Sequence, residues 1–194
     1  VKFIRKTYPE LILSVDTFRS EVARNCLDLG IDIINDISAG CIDKNILDVV
    51  AEYNCPYIMM HMKGTPQTMQ INPEYENLIK ELLIYFAKRI YLAREKGIID
   101  IIVDPGFGFG KTLDHNYTIM KKIENFKLLD LPILVGISRK SFITKQLDID
   151  KKDSLNGTTA LNMYFLEKNV NILRVHDVKE AKECIMLHEK IKSS

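Results

Sequence analysis

The segment Ile101-Ile102-Val103-Asp104-Pro105-Gly106-Phe107-Gly108-Phe109-Gly110-Lys111-Thr112 sets three β-favouring residues before a carboxylate, a proline and a run of alternating glycines and phenylalanines. Pro105 cannot donate to a sheet ladder, so a strand stops at Asp104 and delivers its carboxylate into the opening that follows. Glycines let backbone approach a flat ligand closely, and Phe107 and Phe109 can wall it. Gly110-Lys111-Thr112 imitates the end of a phosphate-binding P-loop, but Pro105 stands five residues before Gly110 where that loop needs glycine. The chemistry is that of a carboxylate at the mouth of a pocket.

Other apolar runs end in the same way, on Asp16, Asn35, His61, Ser138 to Ser141, and Arg174 with His176. A buried carboxylate beside an amide suits the adjacent N–H donors of a guanidine-like heterocycle. Arg139, Lys140, Arg174 and His176 are cations able to clamp an anion, and an arginine can also stack on a ring. Met60 and Phe109 offer a soft wall and a flat one. Such a set is expected to hold a planar, nitrogen-rich heterocycle together with something anionic. Several members have a plainer use: Asp16 can cap a helix from Thr17, Asn35 and Asp36 can be turn residues, and His61 can be a structural imidazole. Arg174, in Ile172-Leu173-Arg174-Val175, reads as a cation inside a buried strand, where it needs a partner.

The elements that position these groups follow from periodicity. Strands are expected over Leu11 to Val15, Ile31 to Ile34, Pro56 to Met60, Ile101 to Asp104, Pro132 to Ile137 and Val170 to Val175. Helical spacing covers Thr17 to Leu29, Ile46 to Tyr53, Glu74 to Lys96, a stretch near His115 to Asn125, Gly157 to Lys168, and Lys179 to Lys192. Gly30 and Gly97 close two of these helices. Val1 to Glu10 reads as the end of a helix, and Lys145 to Ser154 as a charged, mobile excursion. Six strand–helix alternations imply an α/β fold with a parallel sheet covered by helices. No GxGxxG follows the first strand, which argues against a dinucleotide-binding open sheet. Polar groups at every strand end favour a (β/α)8 TIM barrel, here about six of eight units with the first two upstream of Val1. Residues 1–194 then form a single barrel domain, truncated at its N-terminus.

Composition narrows the classes. A net charge of +1 over 194 residues gives no general field for nucleic acid or an anionic membrane surface. No apolar run reaches membrane-spanning length and no signal peptide opens the chain, so a cytoplasmic protein without membrane or nucleic-acid partners is expected. Cys26, Cys41, Cys55 and Cys184 are scattered without a CxxC pair, which reads as reduced thiols.

Six segments occur in order: Ser14-Val15-Asp16-Thr17, Ile34 to Ser38, Met59 to Pro66, Asp104 to Lys111, Gly136 to Ser141 and Arg174 to Val178. On these the chain resembles the dihydropteroate synthases, pterin-binding enzymes of folate biosynthesis that join a pterin diphosphate to 4-aminobenzoate. The resemblance runs from Val1 to Ser194 and covers that family's third to eighth strands. It implies that Asp104, Asn35 and Lys140 bind the pterin edge, with Asp16 completing the pocket and Met60 and Gly136 among the substrate-binding residues. Arg174 would stack on the pterin and face the diphosphate with His176, and Ser141 and Phe109 would hold the aminobenzoate. Lys140, Arg174 and His176 would carry the catalysis. The resemblance further implies Mg2+, a homodimer of the full-length protein, and a sulfonamide target. The family's Mg2+ ligand, an Asn of the first loop, and its Thr-Arg pair of the second would lie upstream of Val1, leaving no metal ligand here. Ala39 stands where the family pattern has glycine. Two alternatives share the pterin acids: a methyltransferase passing a folate methyl to a corrinoid, and a pterin-binding fragment without catalysis. The cations at Ser138 to Ser141, Arg174 and His176 favour diphosphate chemistry.

Overall fold

Runs of β-branched and other apolar residues, each stopped by Asp, Pro or Gly, become strands, and the 3.6-residue patterns between them become the covering helices. A computed structural model describes residues 1–65, 67–69 and 73–194; the Pro66 end of the Met59 to Pro66 motif lies outside them. The chain divides into two compact units, Val1–Met62 with Leu82–Asp104, and Lys63–Glu81 with Pro105–Ser194.

The first unit contains α1 (Lys2–Thr7), β1 (Ser14–Asp16), α2 (Ser20–Leu27), β2 (Ile33–Asp36), α3 (Ile46–Tyr53), β3 (Tyr57–Met60), most of α4 (Leu78–Glu95) and β4 (Ile101–Asp104). Its sheet is parallel in the order β1-β2-β3-β4. The register sets Asp16 beside Asn35, Asn35 beside Ile58, and Met60 beside Asp104. Side chains alternate along a strand, so Asp16, Asn35, Met60 and Asp104 share one face, and Asp36, Tyr57 and Met59 share the other. The second face is the anchor. The Asp36 carboxylate is fully buried and accepts from Ser38 N and Oγ at 2.7 Å each, from Gly40 N at 2.6 Å and from the Tyr57 hydroxyl at 2.7 Å. Burial and the neighbouring Asp36 charge hold the Tyr57 hydroxyl well above its ordinary pKa, so it stays a donor. Ala39 adopts φ 49°, and its carbonyl accepts from Arg89 Nε at 2.6 Å, which ties this turn to α4. Gly30 and Gly97 follow α2 and α4 in the left-handed region, as their spacing predicts.

The second unit holds α5 (Leu113–Lys121), a 3₁₀ turn at Ile123–Leu129, β5 (Leu134–Val135), α6 (Ser141–Leu147), a 3₁₀ turn at Lys151–Asp153, α7 (Leu155–Glu167), β6 (Ile172–Leu173) and α8 (Val178–Ser193). β5 and β6 pair in parallel, Leu134 beside Ile172. Its core gathers Phe107, Ile119, Ile123, Phe126, Ile137 and Phe165, all fully buried.

Four expectations need correction. The strands form a four-stranded and a two-stranded sheet rather than one run of six neighbours. Helix α4 starts at Leu78, not Glu74, because Asn77 caps it: Lys80 N donates to Asn77 Oδ1 at 3.1 Å, and Asn77 N to Glu81 Oε1 at 3.0 Å. The stretch from Lys145 to Ser154 belongs partly to α6 and a 3₁₀ turn, and Ser154 is fully buried. The last strand ends at Leu173, which leaves Arg174 exposed rather than inside a buried strand. Among the described residues no helix is long and apolar enough to cross a membrane.

Candidate active site

In the first unit the candidate groups sit at the carboxyl ends of β1, β2, β3 and β4. Asp16 does not cap α2, whose N-cap position is Arg19; its carboxylate instead accepts a hydrogen bond from Asn35 Nδ2. An ionised carboxylate can only accept, so this contact orients the Asn35 amide with its NH2 toward Asp16. Asn35 Oδ1 is thereby turned away, buried, and without a hydrogen-bond partner among the described residues. A buried amide oxygen in that state costs about 1–3 kcal/mol unless something donates to it. Asp104 lies at the same end of the sheet, 5% exposed, beside the buried Met60. The pairing offers acceptors from a carboxylate and an amide over an apolar side chain, which is the complement of a flat ring edged with N–H groups. His61 behaves as a structural imidazole, its ring edge-on to Tyr85 with centroids 4.7 Å apart.

In the second unit the glycine segment wraps onto its own neighbours. Phe107 does not wall a ligand. It is fully buried, 5.4 Å from the Phe165 ring and 6.2 Å from Phe142. Phe109 is half-buried and lies 4.7 Å from Lys140 Nζ, a cation–π contact. Lys140 Nζ also donates to the Phe107 carbonyl. Gly110 has φ 65°, and a Cβ there would come within 2.6 Å of the Lys63 carbonyl oxygen. Gly110→Ala should therefore cost about 1–3 kcal/mol of stability in denaturant melts, since the clash is with backbone that cannot swing aside.

Beyond β5 the chain delivers Ser138, Arg139 and Lys140. Arg139 differs from the sequence reading: at φ 58° it turns to Asp177, with Nε to Oδ2 at 3.1 Å and a second guanidinium bond to Oδ1. That hydrogen bonding holds the Asp177 carboxyl below its usual range and removes Arg139 from the set of ligand-facing cations. Ser138 is buried, and its Oγ lies 3.0 Å from His176 Nδ1 and accepts from His176 N at 3.3 Å. The two contacts lace the loop after β5 to the loop after β6. Gly136 leaves room for Arg174, whose Cβ would stand 3.7 Å from a Cβ at that position. Ser141 is exposed at the start of α6 and lines a cavity of about 280 Å³ with Gly108, Lys111, Asn116, Phe142 and Lys145.

Sequence reasoning misses Tyr75 and Asn116, and reads Lys111 only as the close of the glycine motif. Lys111 is 4% exposed, and its Nζ donates to the Phe109 carbonyl at 3.0 Å. Asn116 accepts from Gly108 N at 2.7 Å and donates to the Thr112 carbonyl at 2.6 Å. Nothing in the spacing of Tyr75 or Asn116 marks either residue out.

A family description for pterin binding enzymes matches residues 1–176. The chain belongs to the pterin-binding enzyme family. Within that family it is 43% identical over 173 residues to a dihydropteroate synthase of Synechocystis, covering 88% of this chain and 60% of that protein. It is 39% identical over 182 residues to a dihydropteroate synthase of Escherichia coli K12, covering 93% of this chain and 64% of that protein. The chain thus spans less than two thirds of the length of these pterin-binding relatives. The crystal structure of Yersinia pestis dihydropteroate synthase with a sulfonamide drug complex superimposes with a TM-score of 0.95 at 32% identity, covering 100% of this chain and 70% of that one. With the parallel strands described above, that likeness makes the fold class α/β of the (β/α)8 barrel kind.

Proposed function

We propose that residues 1–194 are the pterin-binding barrel domain of a dihydropteroate synthase, a cytoplasmic transferase condensing 6-hydroxymethyl-7,8-dihydropterin diphosphate with 4-aminobenzoate to 7,8-dihydropteroate and diphosphate. The observation that carries the reading is the orphaned Asn35 Oδ1 at the strand ends that also bear Asp16 and Asp104. A pterin ring presents the N–H edge that this group lacks. Names support the reading too, since the Synechocystis and E. coli relatives are both dihydropteroate synthases.

In this assignment Asp104, Asn35 and Lys140 hold the pterin edge, Asp16 fixes the Asn35 amide, and Met60 packs on the ring. Arg174, its stem lying over Gly136, stacks on the pterin and faces the diphosphate with His176. Phe109 and Ser141 hold the aminobenzoate. The bond from the pterin methylene to the diphosphate oxygen breaks and leaves a cationic methylene; the aminobenzoate nitrogen attacks it and releases a proton. This chemistry asks for positioning and charge stabilisation rather than a protein nucleophile. Mg2+ belongs with the diphosphate in this reading. The described residues contain no group of three or more His, Cys, Asp or Glu able to hold a metal, so no ligand is assigned among them and no step is drawn through it. A homodimer is supported by Leu187 and Ile191, exposed one turn apart on α8.

Titration decides the matter. The chain should bind a pterin, and Asp104→Asn, which sets an added donor against a ligand N–H, should weaken it by about 1–3 kcal/mol. A pterin diphosphate should bind more tightly than the free pterin alcohol, with that increment lost in Arg174→Ala. Equal affinity for the two would point to the methyl-transferring alternative, which has no diphosphate to hold.

A further inference from the structure

The backbone of the glycine segment after β4 is held by side chains at four consecutive residues, Phe107 to Gly110. Lys140 Nζ takes the Phe107 carbonyl, Asn116 Oδ1 the Gly108 amide, Lys111 Nζ the Phe109 carbonyl and the Tyr75 hydroxyl the Gly110 carbonyl, the last three at 2.7, 3.0 and 2.7 Å. A glycine-rich stretch has many backbone conformations to lose, so unrestrained it would present Phe109 poorly. Three of the four anchors lie close to the segment in sequence or have a proposed ligand role. Tyr75 is different. It comes from the Lys63–Glu81 stretch, 35 residues before Gly110, and bonds the carbonyl directly after Phe109.

The surroundings of Tyr75 fix its hydroxyl there. Its ring stands edge-on to His115 with centroids 5.0 Å apart, and the Lys63 ammonium lies 4.1 Å from the ring centroid. Lys63 is itself tied, donating to the Glu74 carbonyl and lying 3.8 Å from Glu81. His115 closes a reciprocal cap with Thr112: Thr112 N donates to His115 Nδ1 at 3.2 Å, and His115 N to Thr112 Oγ1 at 3.1 Å. Burial pushes the Tyr75 hydroxyl above its ordinary pKa and the His115 imidazole below its own, which keeps the first a donor and the second an acceptor.

We infer that Tyr75 is a positioning residue that sets the Phe109 ring for the aminobenzoate and has no part in holding the pterin. The inference rests on the proposed function for the identity of the ligand at Phe109, though not for the claim that Tyr75 orders the segment. Tyr75→Phe keeps the ring, its contact with His115 and its cation–π partner, and removes the hydroxyl that bonds Gly110. In the 194-residue chain with saturating pterin, 4-aminobenzoate affinity should fall about fivefold, the equivalent of one neutral hydrogen bond, while pterin affinity stays at the wild-type value. Loss of both affinities together would mean a general structural role and overturn the inference. So would an unchanged 4-aminobenzoate affinity. Amide hydrogen exchange supplies an arm that needs no ligand: the Phe109 amide, bonded to the Gly106 carbonyl at 3.1 Å, should exchange several-fold faster in Tyr75→Phe. An unchanged rate would show that Tyr75 does not order the segment. If the wild-type chain binds neither ligand, the proposed function fails, and the exchange experiment still judges Tyr75.

Discussion

Asn35→Asp should weaken pterin binding at neutral pH at least tenfold and make what remains depend on acid. The substitution changes one atom of the side chain but replaces the NH2 that faces Asp16 with a second acceptor. Two carboxylates at hydrogen-bonding separation cannot both stay ionised without cost, so the pair must move apart or hold a proton between them. Either response disturbs the oxygen that the ligand is to meet. On acidification a proton shared by the two side chains recreates a donor between them, and part of the affinity should return. The sign is the test: wild-type binding has no such recovery, and a mutant that weakens further on acidification would refute the orienting role of Asp16. Isothermal titration with a pterin from about pH 5 to pH 8 reads both quantities.

Phe107→Ala should cost about 3–5 kcal/mol of unfolding free energy, a large share of the roughly 5–15 kcal/mol that holds a domain folded. Its ring is fully buried between Phe142 and Phe165, so truncation opens a cavity among side chains that cannot collapse into it. Phe109→Ala, two residues on, should leave the denaturation midpoint nearly unchanged, because that ring is half-buried, and should instead lower 4-aminobenzoate affinity. The contrast separates the two aromatic residues of one motif. If both variants unfold alike, Phe109 belongs to the core and not to a ligand wall.

The same two residues show what the sequence could and could not disclose. Strand ends are legible, because an apolar run stopped by a polar residue places that residue at the sheet rim wherever the strand lies. Asp16, Asn35 and Asp104 were found that way and do occupy strand ends. The side chosen by Phe107 or Phe109 depends on three residues with positive φ at Gly106, Gly108 and Gly110, which break the alternation that would have decided it. Arg139 departs from its sequence reading for a related reason: its left-handed backbone redirects the guanidinium to Asp177, 38 residues away in the chain. Ile172-Leu173-Arg174-Val175 has the composition of a buried strand, whereas pairing stops at Leu173 and leaves Arg174 beyond it. Tyr75 and Asn116 owe their roles to partners that no local pattern announces.

Asn35 and Asp36 are neighbours on β2, yet they face opposite sides of the sheet and meet different demands. Asp36 answers to folding, through four donors that no other side chain of its size would satisfy. Asn35 answers to whatever donates to its free oxygen while its nitrogen is committed to Asp16. Few replacements keep both ends of that amide: aspartate loses the donor, leucine loses both, and glutamine overreaches by a methylene. Under the proposed function, an inhibitor that donates to this oxygen presses on a residue whose replacement also forfeits the pterin.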